Sequence, residues 1–118
     1  MALPHAVPGQ VIGVAPLGPL LKGSRTHALF KSRDLEVMRL VLGAGDALPP
    51  HRVPGEVTIH CIEGRCEVRL AAGVVALAPG ELLLIGANEV HGVAAVSDCS
   101  ALVTLVLKPS THLDAVEP

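Results

Sequence analysis

Apolar and polar residues alternate in short bursts along most of this chain, and no stretch after the first two dozen residues sustains a helical period. The bursts are Thr26–Lys31, Leu35–Leu42, Val57–Ile62, Cys66–Ala71, Val74–Leu77, Leu82–Ile85, Val90–Val96 and Ala101–Leu107. Between them stand SRD, GAGDALPP, EGR, AG, APGE, GANE and SDCS. Short β-type runs broken by turn residues roughly every ten positions predict an all-β sandwich or barrel. Glu63-Gly64 reads as a two-residue hairpin turn, and Ala72-Gly73 and Pro79-Gly80 as further tight reversals, so the strands should be mostly antiparallel. Ahead of them, Pro4, Pro8, Pro16 and Pro19 argue against a helix and predict an extended arm over residues 1–25. A barrel over 26–108 and a polar tail over 109–118 complete the expected organisation.

Composition narrows the function. Half of the 118 residues are hydrophobic and 17% are charged, so the chain can bury a core and is not disordered. The apolar content is aliphatic: Phe30 is the one Phe, and Tyr and Trp are absent. Without aromatic platforms, and with nine Lys and Arg against eleven Asp and Glu, no nucleic-acid partner is expected. No uninterrupted apolar stretch approaches the ~20 residues of a membrane helix, so no membrane partner is expected either. The start, MALPHAVPGQVIGV, lacks the basic opening and cleavage site of a signal peptide, which points to the cytoplasm. Three cysteines do not make a disulfide framework.

The stretch PPHRVPGEVTIHCIEGRC, residues 49–66, holds five candidate metal donors: His51, Glu56, His60, Cys61 and Cys66. Strand alternation separates them. With His51 facing inward, Val53, Val57, Ile59 and Cys61 follow it, while Arg52, Glu56, Thr58 and His60 form a polar outer face. A bulge at Pro54-Gly55 would reverse this, but it would also turn Val57 and Ile59 out to solvent. Cys61 and Cys66 should face each other across the hairpin as small core residues, and Cys99, in SDCS, reads as an incidental thiol. The serines lie in turns without a strained elbow, so no nucleophile constellation emerges.

Two stretches, GAGDALPPHRVPGEVTIHCIEG and PGELLLIGANEVHGV, resemble the first and second motifs of the cupin superfamily. Gly45 precedes His51 by six residues and Gly80 precedes His91 by eleven, as those motifs ask. The resemblance spans roughly residues 26–107 and implies a double-stranded β-helix, or jelly-roll, barrel. In metal-binding cupins the first motif supplies two His and one Glu and the second motif one His. Here the matching positions hold His51, Val53, Val57 and His91. The second motif's proline is also missing, with Ile85 or Gly86 in its place. Cupin sugar epimerases pair a His with a Tyr acid, which this chain lacks.

The expectation is therefore a barrel whose open end carries His51 and His91. Glu56 and His60 are reserve donors for one divalent Zn, Ni or Fe ion, and an interior without metal is the alternative. Met38, Leu40, Val53, Val57, Ile59, Val93 and Ala95 are the expected walls of a pocket for a small, mostly apolar molecule with polar or anionic groups reaching the imidazoles. Three functions compete: a metal- or small-molecule-binding cupin, a metal-dependent enzyme of dioxygenase or isomerase type, and a non-catalytic sensor or stress-response protein acting through its dimer surface. Exposed aliphatic strands and the arm predict a homodimer.

Overall fold

The computed structural model describes residues 5–107. Nine strands build two antiparallel sheets. They are β1 His27–Lys31, β2 Leu35–Leu42, β3 Ala47–His51, β4 Val57–Glu63, β5 Cys66–Leu70, β6 Gly73–Leu77, β7 Leu82–Ile85, β8 His91–Ala95 and β9 Cys99–Val106. The five-stranded sheet runs β1-β2-β9-β4-β7 and the four-stranded sheet β3-β8-β5-β6. The chain passes repeatedly between the sheets, and that crossing closes the jelly roll.

Alternation decides what each strand buries. In β4, Val57, Ile59 and Cys61 are buried and face the opposite sheet, while Thr58, His60 and Ile62 are only partly covered on the outside. Val68 of β5 and Ile85 of β7 complete the most deeply buried aliphatic layer. This is the alternation expected from the sequence, and Pro54-Gly55 bends the chain without reversing it. Gly55 is needed there because a Cβ would strike the carbonyl of Val106.

Four expectations fail in instructive ways. ALPPH, which reads as a turn because two of its five residues are prolines, is strand β3; it lies at a sheet edge, where a missing N–H costs no ladder partner. Glu63-Gly64 is not a hairpin turn. It is a corner that carries the chain from one sheet to the other, so β4 and β5 share no ladder. Gly64 makes that corner possible: its φ is +72°, and a side chain would collide with the backbone of Asp98 and Cys99. Pro79-Gly80 is a corner of the same kind, leaving Ala71-Ala72 as the two-residue turn of the β5–β6 hairpin. The arm is not wholly extended, since Gly18–Gly23 winds into a 3-10 helix with Pro19 in its first turn, where a proline sacrifices no hydrogen bond. The tail expected over 109–118 lies outside the described residues.

The arm is tied to the outer face of the five-stranded sheet by a buried polar cluster. Arg39, 4% exposed, donates to the Ala15 carbonyl (3.1 Å) and to Ser100 Oγ (3.4 Å). Ser100 donates to Glu63, whose two carboxylate oxygens also accept the N–H groups of Leu17 and Gly18 at 3.0 Å each. Burial pushes the Glu63 carboxyl up, but the hydrogen bonds from Ser100, Leu17 and Gly18 and the nearby Arg39 charge outweigh it and hold the group below its ordinary value.

Candidate functional site

The two sheets leave a cavity of about 140 Å³ between them. The four-stranded sheet contributes His51 and Leu48 from β3 and His91 and Val93 from β8. From the other sheet come Met38, Leu40, Val57, Ile59, Val103 and Leu105. Apart from the two imidazoles and the thioether of Met38, every lining side chain is hydrocarbon.

The pairing of β3 with β8 brings the imidazoles together. Leu48 stands opposite Val93, and His51 opposite His91. Three steps along β3 therefore match two along β8, so one extra residue is absorbed at Pro49-Pro50. That bulge switches the side-chain parity and lets Leu48 and His51, odd steps apart, face the same cavity. Gly92 accommodates it, since a Cβ there would press on the Leu48 carbonyl at 3.1 Å and the Pro50 nitrogen at 3.3 Å. The ring centroids end 4.5 Å apart, with the planes tilted by 54°. His91 is 4% exposed while His51 is exposed at the rim, so the pair spans the mouth of the cavity.

Each ring is oriented by a backbone carbonyl two residues earlier. His51 Nδ1 lies 3.2 Å from the Pro49 oxygen, and His91 Nδ1 lies 2.9 Å from the Glu89 oxygen. A carbonyl can only accept, so each Nδ1 carries a proton, and in the neutral form of each ring the lone pair stays on Nε2. The loop behind His91 is itself locked. Gly86 N–H donates to the Glu89 carboxylate, Asn88 takes a φ of +62°, and Asn88 N–H donates to the Val53 carbonyl. Two imidazoles thus form the polar end of an apolar cavity.

The other expected donors lie elsewhere. His60 stands opposite Leu82 and Leu102 on the outer face of the five-stranded sheet. Glu56 is exposed in the segment before β4. Val53 packs against the core beyond the end of β3 but does not border the cavity, and Ala95 is buried in the core without bordering it either. Among the described residues, no three His, Cys, Asp or Glu side chains are placed to hold a metal together. Divalent sites use three or more protein donors, so the residues present do not fit the ion that the cupin motif implies. Leu48 escaped sequence reasoning because its strand did. Val103 and Leu105 were within reach, as every second residue of the Ala101–Leu107 run.

The thiols form a second cluster, in the core. Cys61, Cys66 and Cys99 are all free and buried. Cys61 and Cys66 meet across the interior, not across a hairpin, and Cys99 opens β9 against them. Burial and the neighbouring Cys66 push the Cys61 thiol up to about 11. A hydrogen bond to Cys99, together with burial, raises Cys66; the same bond lowers Cys99, against its burial.

A jelly-roll barrel with a histidine pair at its mouth defines the class, and the comparisons give the family. The cupin-domain family model matches residues 38–107, more than half of the chain, and the protein belongs to that family. A conserved protein of unknown function from Streptococcus pyogenes superposes with a TM-score of 0.71 at 18% identity, covering 94% of this chain and 97% of its own. An RmlC-like cupin from Desulfovibrio desulfuricans gives 0.65 at 24% identity, covering 91% and 98%. A cupin-superfamily protein from Desulfitobacterium hafniense gives 0.69 at 15%, covering 84% and 100%. At these identities the likeness is one of fold. No curated protein matches the chain. No helix among the described residues is long and apolar enough to cross a membrane.

The raised Cys61 thiol makes stability sensitive to alkali. Below its ordinary value of 9.0 the thiol is protonated in both states, so its contribution is fully present. As pH climbs from 9.0 toward about 11 the unfolded chain ionises first and the contribution is lost. Urea unfolding across that window should cost the wild type of order 2 kcal/mol more than Cys61→Ala; identical alkaline slopes in the two proteins would contradict this.

Proposed function

We propose that the barrel binds a small, mostly apolar molecule, held at its polar end by His51 and His91. One observation carries this: a hydrocarbon-walled cavity of about 140 Å³ that ends in two imidazoles 4.5 Å apart. Cavities near 150 Å³ accept benzene, so the ligand is of roughly that size. Both Nε2 atoms accept, which selects a molecule with a hydroxyl or N–H to give and disfavours an anion with no proton to share. The absence, among the described residues, of a third His, Cys, Asp or Glu beside the pair favours this reading over a divalent Zn, Ni or Fe centre. Among the described residues no carboxylate, hydroxyl or thiol borders the cavity to support a dioxygenase or isomerase, and its open volume argues against a packed barrel that serves only as a surface. The cytoplasm, whose reducing poise preserves three unpaired thiols, is the compartment we assign.

Phenol and toluene, similar in size, separate the apolar from the polar contribution. In NMR titrations both should shift resonances of Val57, Ile59 and Val93, with phenol binding about three- to tenfold more tightly, the worth of one hydrogen bond. His91→Ala should abolish that preference and leave toluene binding largely intact. Shifts confined to other parts of the chain, or a preference that survives His91→Ala, would overturn the reading.

We further propose a homodimer formed through the outer face of the five-stranded sheet. Leu82 and Leu84 of β7 are 66% and 60% exposed there, and the β7–β4–β9 register sets Leu82 in one cross-strand row with His60 and Leu102. Large aliphatic side chains this exposed on a sheet face mark association surfaces. Light scattering should return twice the chain mass for the wild type and the chain mass for Leu82→Glu/Leu84→Glu; a monomeric wild type would sink the proposal.

A further inference from the structure

The cavity holds one more donor atom than the histidine pair. Met38 is at an inward position of β2, opposite Val103 in the ladder, and both border the cavity from the five-stranded sheet. His51 and His91 face it from the four-stranded sheet. The heteroatoms of the lining side chains are therefore two imidazoles and one thioether, brought to a single small volume from opposite sides. Met is unbranched and flexible enough for its sulfur to reach toward the rings.

That donor set, one soft thioether beside two neutral imidazoles, suits a soft monovalent ion. A thioether favours Cu(I) and imidazole serves copper well, whereas carboxylates and water suit the harder metals. A dication held by neutral donors alone among hydrocarbon walls would keep its full double charge in a medium of low dielectric, at a high desolvation cost. A single positive charge with few ligands carries a much smaller penalty. Both imidazoles already have Nδ1 committed to backbone carbonyls, the arrangement that fixes ring orientation in metal sites.

We infer that Met38, His51 and His91 form a low-coordinate site for one cuprous ion. The inference rests on the reading given above, that the Nε2 atoms of the histidine pair face the cavity. It replaces the missing carboxylate and third histidine of the cupin motif with a sulfur that the motif does not contain.

The test is an anaerobic titration of the whole chain with Cu(I) alone, in competition with bicinchoninate, followed by copper K-edge absorption. The expected result is one equivalent retained, with nitrogen and a single sulfur as neighbours, and no comparable retention of Zn(II). Met38→Leu conserves volume and should fold. It should remove the sulfur from the copper spectrum and weaken retention by at least about tenfold. His51→Ala, at an exposed edge position, should lose both copper and the phenol preference. If phenol binds as described but the wild type retains no copper, the copper site is wrong and the ligand reading stands. If phenol fails as well, the reading beneath it has failed. Copper that survives Met38→Leu and His51→Ala but is lost in Cys66→Ala belongs to the buried thiols and overturns the site.

Discussion

A change of one residue in how β3 lies on β8 would turn His51 to solvent and leave His91 alone at the end of the cavity. What prevents this is the bulge at Pro49-Pro50, which inserts an extra residue between the Leu48–Val93 and His51–His91 pairs. Two prolines in sequence offer no N–H groups to the ladder, so the bulge loses none of the hydrogen bonds that an ordinary strand would forfeit. Gly92 gives the bulge room from the other side. The polar end of the cavity, the tilt of the two rings and the carbonyl of Pro49 that orients one of them all follow from this local arrangement.

Much of the barrel could be read from the order of residues. The inward set Val57, Ile59 and Cys61 followed from period-two alternation alone, because that strand lies between two neighbours and its burial pattern is undisturbed. The same logic failed where the backbone departs from a regular ladder. β3 was hidden by its prolines, which count against a strand unless the strand lies at an edge, and edge status is a property of the whole sheet. The Cys61–Cys66 pairing failed at Gly64, since a tight turn and a corner between sheets have the same local signature. The difference lies in whether Asp98 and Cys99 pack against that glycine. Cys99, in a sequence that resembles a loop, proved to be core.

The polar cluster beneath the arm was equally out of reach. Nothing local to Arg39 distinguishes it from a surface arginine at an outward strand position. It is buried because residues far away in sequence cover it: Ser100 from β9, the Ala15 carbonyl from the arm, and Glu63 from a bulge in β4. A buried arginine needs such partners. Here they also fasten the arm to the face opposite the cavity wall, so the segment outside the barrel becomes part of its structure.

The cupin motif and the structure together give the site its particular character. Valines stand where a metal-binding cupin carries His and Glu, and the remaining pair faces an apolar interior. The most direct measurement of that central feature is a long-range 1H–15N correlation spectrum of the histidine rings. It should show His51 and His91 both as the Nδ1–H tautomer, with both Nε2 signals unprotonated and shifted on addition of phenol. An Nε2–H tautomer at either ring, or Nε2 signals that ignore phenol, would contradict the account.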